Sequence, residues 1–146
     1  MNTNSASTST SRTTPKADIF PTEPLTGLIR DNMHDATPDN TTVYGSGTTI
    51  AVKLHKTTIL QHDTETNRTI LNDGGYLTPV TTRRMNESLQ ALGIHAKVMT
   101  RQMRRYVTFD SGETLPFSEE PSDRQHIEFY VDEQGDYAPT KAEPAA

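Results

Sequence analysis

The sequence contains no cysteine. That excludes a disulfide framework and any thiolate-bound metal, and it fits a reducing compartment. A long apolar run is also missing, since nothing approaches the roughly 18 consecutive apolar residues a membrane-spanning helix needs. The chain does not open with a charged stretch followed by an apolar one, so a signal peptide is not expected. Neither G-x-x-x-x-G-K-[ST] nor G-x-G-x-x-G occurs, which removes the common phosphate-cradling loops. His34, His55, His62, His95 and His126 form no H-x-x-x-H pair. His55 and His62 can approach across a hairpin, yet two imidazoles without a placed carboxylate make a poor metal site. Among the many Ser and Thr there is no nucleophile elbow and no Ser-x-x-Lys pattern. The expectation is a non-enzymatic protein with no cofactor, no metal and no membrane partner.

Apolar residues are scarce as well, at 32% of 146. Ordinary domains run at roughly 45–50%, counting Gly. The deficit is local. Residues 1–41 are rich in Ser, Thr, Asn and Pro, and Ile19, Phe20, Leu25, Leu28 and Ile29 show no sustained period. Ordering costs about 1–2 kcal/mol per residue, which so little apolar surface does not offset, so this segment reads as disordered. Residues 132–146, an acidic tail ending PTKAEPAA, read the same way. The folded part is therefore expected over residues 42–131.

What is present there is organised. Ile50, Val52 and Leu54 alternate with Ala51 and Lys53, the period of a half-buried strand. Residues 57–62 and 69–71 form further β-rich runs around a polar turn. The stretch 69–92, TILNDGGYLTPVTTRRMNESLQAL, is the clearest unit. Its glycines, Gly74 and Gly75, tolerate the positive φ of a tight reversal and suggest a hairpin turn. Thr81 or Thr82 then caps a helix that Pro79 cannot enter deeply. Met85, Leu89 and Leu92 make one apolar stripe, with Arg83 and Glu87 on the opposite side. Gly93 ends the helix, with Ile94 supplying the apolar contact that accompanies such an ending. Residues 94–98 and 105–109 alternate as strands, with Val107 and Phe109 facing in and Tyr106 and Thr108 out. Leu115 and Phe117 continue the pattern beyond an Asp110-Ser111-Gly112 turn, and Ile127, Phe129 and Val131 form a last edge strand. The fold class is α+β: a small antiparallel sheet covered by one amphipathic helix, with disordered termini.

Charge is unevenly spread. Residues 80–109 carry six Lys and Arg against Glu87 alone, whereas residues 110–146 carry two against ten Asp and Glu. Either the basic block meets a polyanion or an acidic partner, or the two ends attract each other within the monomer. Arg83 and Arg84 at the helix start, with Arg101, Arg104, Arg105 and Tyr106 near a hairpin tip, are the candidate nucleic-acid-binding residues. Arginine forks contact phosphates, and an exposed tyrosine stacks on bases. The binding expected is weak, salt-sensitive and without sequence specificity, to DNA or RNA. The function expected first is nevertheless a protein-interaction module, through the acidic tail or a sheet edge that accepts a strand, with nucleic-acid binding as the alternative.

The motifs LHKTTIL at residues 54–60, TILNDGGYLT at 69–78 and TTRRMN at 81–86 resemble a group of small proteins encoded by tailed bacteriophages. Arg105-Tyr106-Val107 is similar to the aromatic-Val ending of that group's later strand pair. The resemblance covers roughly residues 48–109, although the later turn lacks the group's glycine. It implies a viral origin and an accessory role, and nothing chemical. The expectation from the sequence as a whole is action in the host cytoplasm on a host or phage protein, with a minor virion component as a further alternative. No catalytic or binding residue is carried over.

Overall fold

The computed structural model describes residues 23–33, 40–120 and 123–139. Among these, helices α1 (Glu23–Asp31) and α2 (Pro79–Ala91) accompany nine strands. They are β1 (Thr41–Ser46), β2 (Thr49–Leu54), β3 (Thr57–Asp63), β4 (Arg68–Asn72), β5 (Ala96–Arg101), β6 (Arg104–Phe109), β7 (Thr114–Pro116), β8 (His126–Val131) and β9 (Tyr137–Ala138). All strand pairs are antiparallel, in a six-stranded sheet ordered β1-β2-β3-β4-β8-β9 and a three-stranded sheet ordered β5-β6-β7. Ser118 and His126 exchange backbone hydrogen bonds of 2.7 and 2.9 Å, which join the end of the small sheet to the start of β8.

Local chemistry explains the reversals. Asp63 Oδ1 accepts the amides of Glu65 and Thr66, so the polar stretch between β3 and β4 closes on a carboxylate. Asn72 and Asp73 accept the amides of Gly74 and Gly75 in the same manner. Gly74 has φ 65° and packs so closely that a Cβ there would lie 2.7 Å from the Thr57 side chain. These glycines do not turn a hairpin. They redirect the chain from β4 into α2.

The cap of α2 is Thr78, whose hydroxyl accepts the Thr81 amide at 3.3 Å, rather than Thr81 or Thr82. Pro79 occupies the first helical position, where its missing N–H costs nothing. Met85 and Leu89 are fully buried, and Leu92 is half-buried at the C-terminal end. Gly93 has φ 74°, and the amide of buried Ile94 reaches back to the Leu89 carbonyl at 3.0 Å. Glu87, expected on the solvent side, is buried.

The architecture is larger than one helix on a small sheet. Within the segment read as disordered, residues 23–31 form α1, whose Ile29 is fully buried in the core. Residues 1–22 of that segment lie outside the described residues. At the other end, β9 pairs with β8, and the Tyr137 ring sits 4.9 Å from that of Phe109. Residues 140–146 lie outside the described residues. β8 pairs with both β4 and β9, so it is an interior strand rather than an edge. One continuous apolar cluster runs from Ile29 through Val52, Leu60, Met85 and Leu89 to Val107, Phe109 and Phe129.

Candidate functional site

Arg105 occupies the inward parity of β6, the same side as Val107 and Phe109, and it is fully buried. Its Nε donates to Asp73 Oδ2 at 3.1 Å, and its Nη2 donates to the carbonyls of Tyr76 and Thr78. Nη1 donates to the hydroxyls of Thr82 and Thr100. The ring of bonds closes through Gln125, which accepts the Arg105 amide with Oε1 and donates its own amide to Asp73 Oδ1. A guanidinium so occupied has no donor left for a phosphate. It is a structural pin that ties β6 to the β4–α2 connection.

Arg84 is buried too. Its Nη1 donates to Glu87 Oε1 at 2.8 Å across one helical turn. Two of the six arginine-surface candidates, Arg84 and Arg105, therefore leave the surface, because burial of these cations is compensated internally by Glu87 and Asp73. Arg83 stays exposed on α2, beside a shallow depression lined by Thr82, Asn86, Gln90 and Thr100. That depression includes neither Arg101, Arg104 nor Tyr106.

The remaining three share one face. On β5, Lys97, Met99 and Arg101 project outward, and on β6 their neighbours Thr108, Tyr106 and Arg104 do the same. The Thr108 hydroxyl lies 3.4 Å from Met99 Sδ and 3.2 Å from the Thr114 hydroxyl, which extends this face to β7. Arg104 is half-buried and donates through Nη2 to the Phe117 carbonyl, whereas Lys97 and Arg101 are exposed. Among the described residues, no carboxylate lies within ion-pair distance of Lys97, Arg101 or Arg104. At the tip of the β5–β6 hairpin, Gln102 and Met103 both have positive φ, and Met103 is 76% exposed. Lys97, counted in the basic block, and Met99 and Met103 were not among the candidate site residues. The parity of β5, which groups Lys97 and Met99 with Arg101, was the signal for the first two, whereas Met103 lies in the turn outside that alternation.

A second concavity lies on another side. The β2–β3 turn and the segment entering α2 enclose a groove of about 490 Å3, lined by Leu54, His55, Lys56, Ile59, Tyr76 and Val80, with Thr57, Asp73, Thr78 and Thr81 completing it. A polar extension of about 430 Å3 shares Lys56, Thr57 and Tyr76 and adds Gly74, Asn72 and Arg124. His55 and His62 do not meet, since His55 sits in the β2–β3 turn and His62 pairs with Ile50 at the far end of that hairpin. Among the described residues no three His, Asp or Glu side chains gather around a metal position.

Among the described residues, three of the four sheet edges, β1, β5 and β7, carry a guard. Arg30 Nη2 of α1 donates to the Val43 carbonyl of β1 at 2.6 Å. Asn86 of α2 bonds both the amide and the carbonyl of Val98 on β5, at 2.7 and 3.0 Å, standing in for a neighbouring strand. β7 ends on Pro116, which has no N–H to offer. These devices oppose strand addition at the middle of β1 and β5.

The class this architecture defines is a small α+β protein, two antiparallel sheets wrapped about a central helix, with a basic outer sheet face. The chain belongs to the Kyanoviridae Gp96 protein family, a family of phage proteins, whose model matches residues 25–132. That match begins inside α1, in a segment whose composition pointed to disorder. No curated protein and no solved structure matches the chain.

Proposed function

We propose that this phage protein is a non-catalytic accessory factor that holds nucleic acid against the outer face of β5, β6 and β7. One observation carries the reading: Lys97 and Arg101 stand exposed beside Tyr106 and Met99, with Arg104 at the hairpin end and no ion-paired carboxylate among them. Unpaired cations release counterions from a phosphate chain, and Tyr106 offers a ring to an unstacked base. No set of base-reading side chains is needed for this, so the binding is sequence-tolerant. The site of action is the host cytoplasm, where replicating and transcribed phage nucleic acid is exposed.

The test is a fluorescence-anisotropy titration with a labelled single-stranded oligonucleotide. Binding of this kind has a Kd in the range of about 10⁻⁴–10⁻⁶ M and weakens steeply with salt. Lys97→Glu with Arg101→Glu lowers the slope of log K against log salt by roughly 1 to 1.5, since each single-strand phosphate contact contributes about 0.7. A wild-type protein that leaves the oligonucleotide unbound at low salt overturns the reading. So does a double variant that binds as well as the wild type.

A further inference from the structure

The groove beside Tyr76 has chemistry of a different kind from the sheet face. Its inner wall is aliphatic, made of Leu54, Ile59 and Val80, and the ring of Tyr76 stands over it, 63% exposed. Three of the polar residues lining it, Asp73, Thr78 and Thr81, are already engaged. Asp73 gives one oxygen to Arg105 Nε and the other to the amides of Gly75 and Gln125, and the hydroxyls of Thr78 and Thr81 bond each other at 2.9 Å. Asp73, Thr78 and Thr81 offer a nucleobase edge no free partner, whereas a leucine, methionine or phenylalanine side chain needs none and matches the aliphatic wall. At the mouth and in the extension stand Lys56 and Arg124, exposed and without an ion pair among the described residues. Among the described residues no carboxylate lines the extension and Asp73 alone lines the groove, where Arg105 neutralises it.

We propose that this groove docks a segment of a partner protein that presents a bulky apolar side chain flanked by carboxylates. The apolar side chain fills the chamber between Ile59, Tyr76 and Val80, and the carboxylates meet Lys56 and Arg124. Complementary charge selects the segment and steers its approach, while the buried apolar anchor supplies most of the affinity. Lys56, Thr57 and Tyr76 line both compartments, and a side chain at Gly74 would press on Thr57. The surface is separate from β5, β6 and β7, so the proposal stands whether or not nucleic acid is bound there.

The experiment selects a displayed random-peptide library on the full chain and measures the selected peptides by anisotropy against wild type and two variants. Val80→Asp places a carboxylate in the first turn of α2, where the helix dipole favours it, so the fold is kept while the anchor chamber turns polar. Lys56→Glu with Arg124→Glu inverts the rim. Selected peptides are expected to combine an apolar residue with neighbouring Asp or Glu, and each variant is expected to weaken them by roughly tenfold or more. Peptides lacking that combination, or binding Val80→Asp as well as wild type, overturn the proposal. So does an oligonucleotide that displaces the peptides competitively, which would make the groove a nucleic-acid site. Concentration-dependent dimerisation abolished by Val80→Asp would give the groove to a second copy of this chain and equally overturn it.

Discussion

Arg105 Nε and Asp73 Oδ2 lie 3.1 Å apart, and both side chains are almost wholly shielded from water. Removing either partner strands a buried charge, which costs about 3–5 kcal/mol. Arg105→Ala and Asp73→Ala are therefore each expected to lower stability by that order in urea denaturation. Arg105→Lys does not restore it, because one ammonium cannot reproduce a fork that also serves Tyr76, Thr78 and Thr82. Wild-type-like denaturation of these variants would remove the pin.

How Arg105 escaped a surface reading shows what was legible. Its position was: the alternation that turned Val107 and Phe109 inward placed Arg105 on the same side. Its burial was not, because parity says nothing of a partner 32 residues earlier that compensates the charge. Arg84 has the same history, lying on the buried stripe of Thr81, Met85, Ser88 and Leu89 that a count of apolar residues alone narrows. Met85, Leu89 and Gly93 were readable because cap, stripe and terminator agreed locally. α1 was legible in principle, since Leu25, Leu28 and Ile29 fall at the i, i+3, i+4 spacing of a helix, but nine residues inside a Ser/Thr/Pro-rich segment were outweighed by its composition. The Tyr76 groove joins residues 54–59 to 73–81, a juxtaposition that topology alone creates.

Asn86 protects the β5 edge by bonding the amide and carbonyl of Val98. Asn86→Ala leaves both groups unsatisfied and is expected to cost about 1–3 kcal/mol. It also frees an edge, so the variant should self-associate as concentration rises. Hydrogen exchange at the Val98 amide and sedimentation check the two effects separately.

Gln102 and Met103 hold φ of 54° and 64°, the left-handed pair that a two-residue hairpin turn demands. For side chains other than Gly that conformation costs roughly 1–2 kcal/mol per residue. Gln102→Asn with Met103→Gly is expected to raise stability by about 1 kcal/mol, part of the relief being offset by the added freedom of the unfolded glycine. If nucleic-acid affinity falls while stability rises, the exposed Met103 takes part in binding.

Burial holds the pKa of His62 below its usual 6.5, with Asp63 pulling weakly the other way, and His62 Nδ1 lies 2.8 Å from Thr69 Oγ1. The unfolded chain then binds the proton more readily than the folded one. The stability contributed is complete above pH 6.5 and is lost as pH falls from there through the lowered folded value. His95, raised above 6.5 chiefly by its hydrogen bond to Asp136, acts in the opposite sense. Its contribution is complete below 6.5 and is lost as pH rises through its folded value. His95 is exposed, so His62 is expected to dominate. Melting temperatures of His62→Gln between pH 5 and 7.5 should show the acid-side fall flattened, and an unchanged fall would assign it to other groups.

Gly135 tests whether the acidic end belongs to the fold. Its φ is 89°, its carbonyl accepts the His95 amide at 2.8 Å, and a Cβ there would come within 1.9 Å of the Gly93 carbonyl oxygen. No rotamer relieves that overlap, because the obstacle is backbone at the closing turn of α2. Gly135→Ala must therefore push the β8–β9 connection away from α2 and separate Tyr137 from Phe109. The expected loss is at least about 2 kcal/mol, more than a helix-interior glycine exchange would cause, since strain and lost contacts add. Ending the chain after residue 131 should destabilise it comparably, whereas ending it after residue 139 should not. Equal stability of all three would return residues 132–139 to the role of a tail, and with it the acidic segment would be free to act on a partner instead of closing the fold.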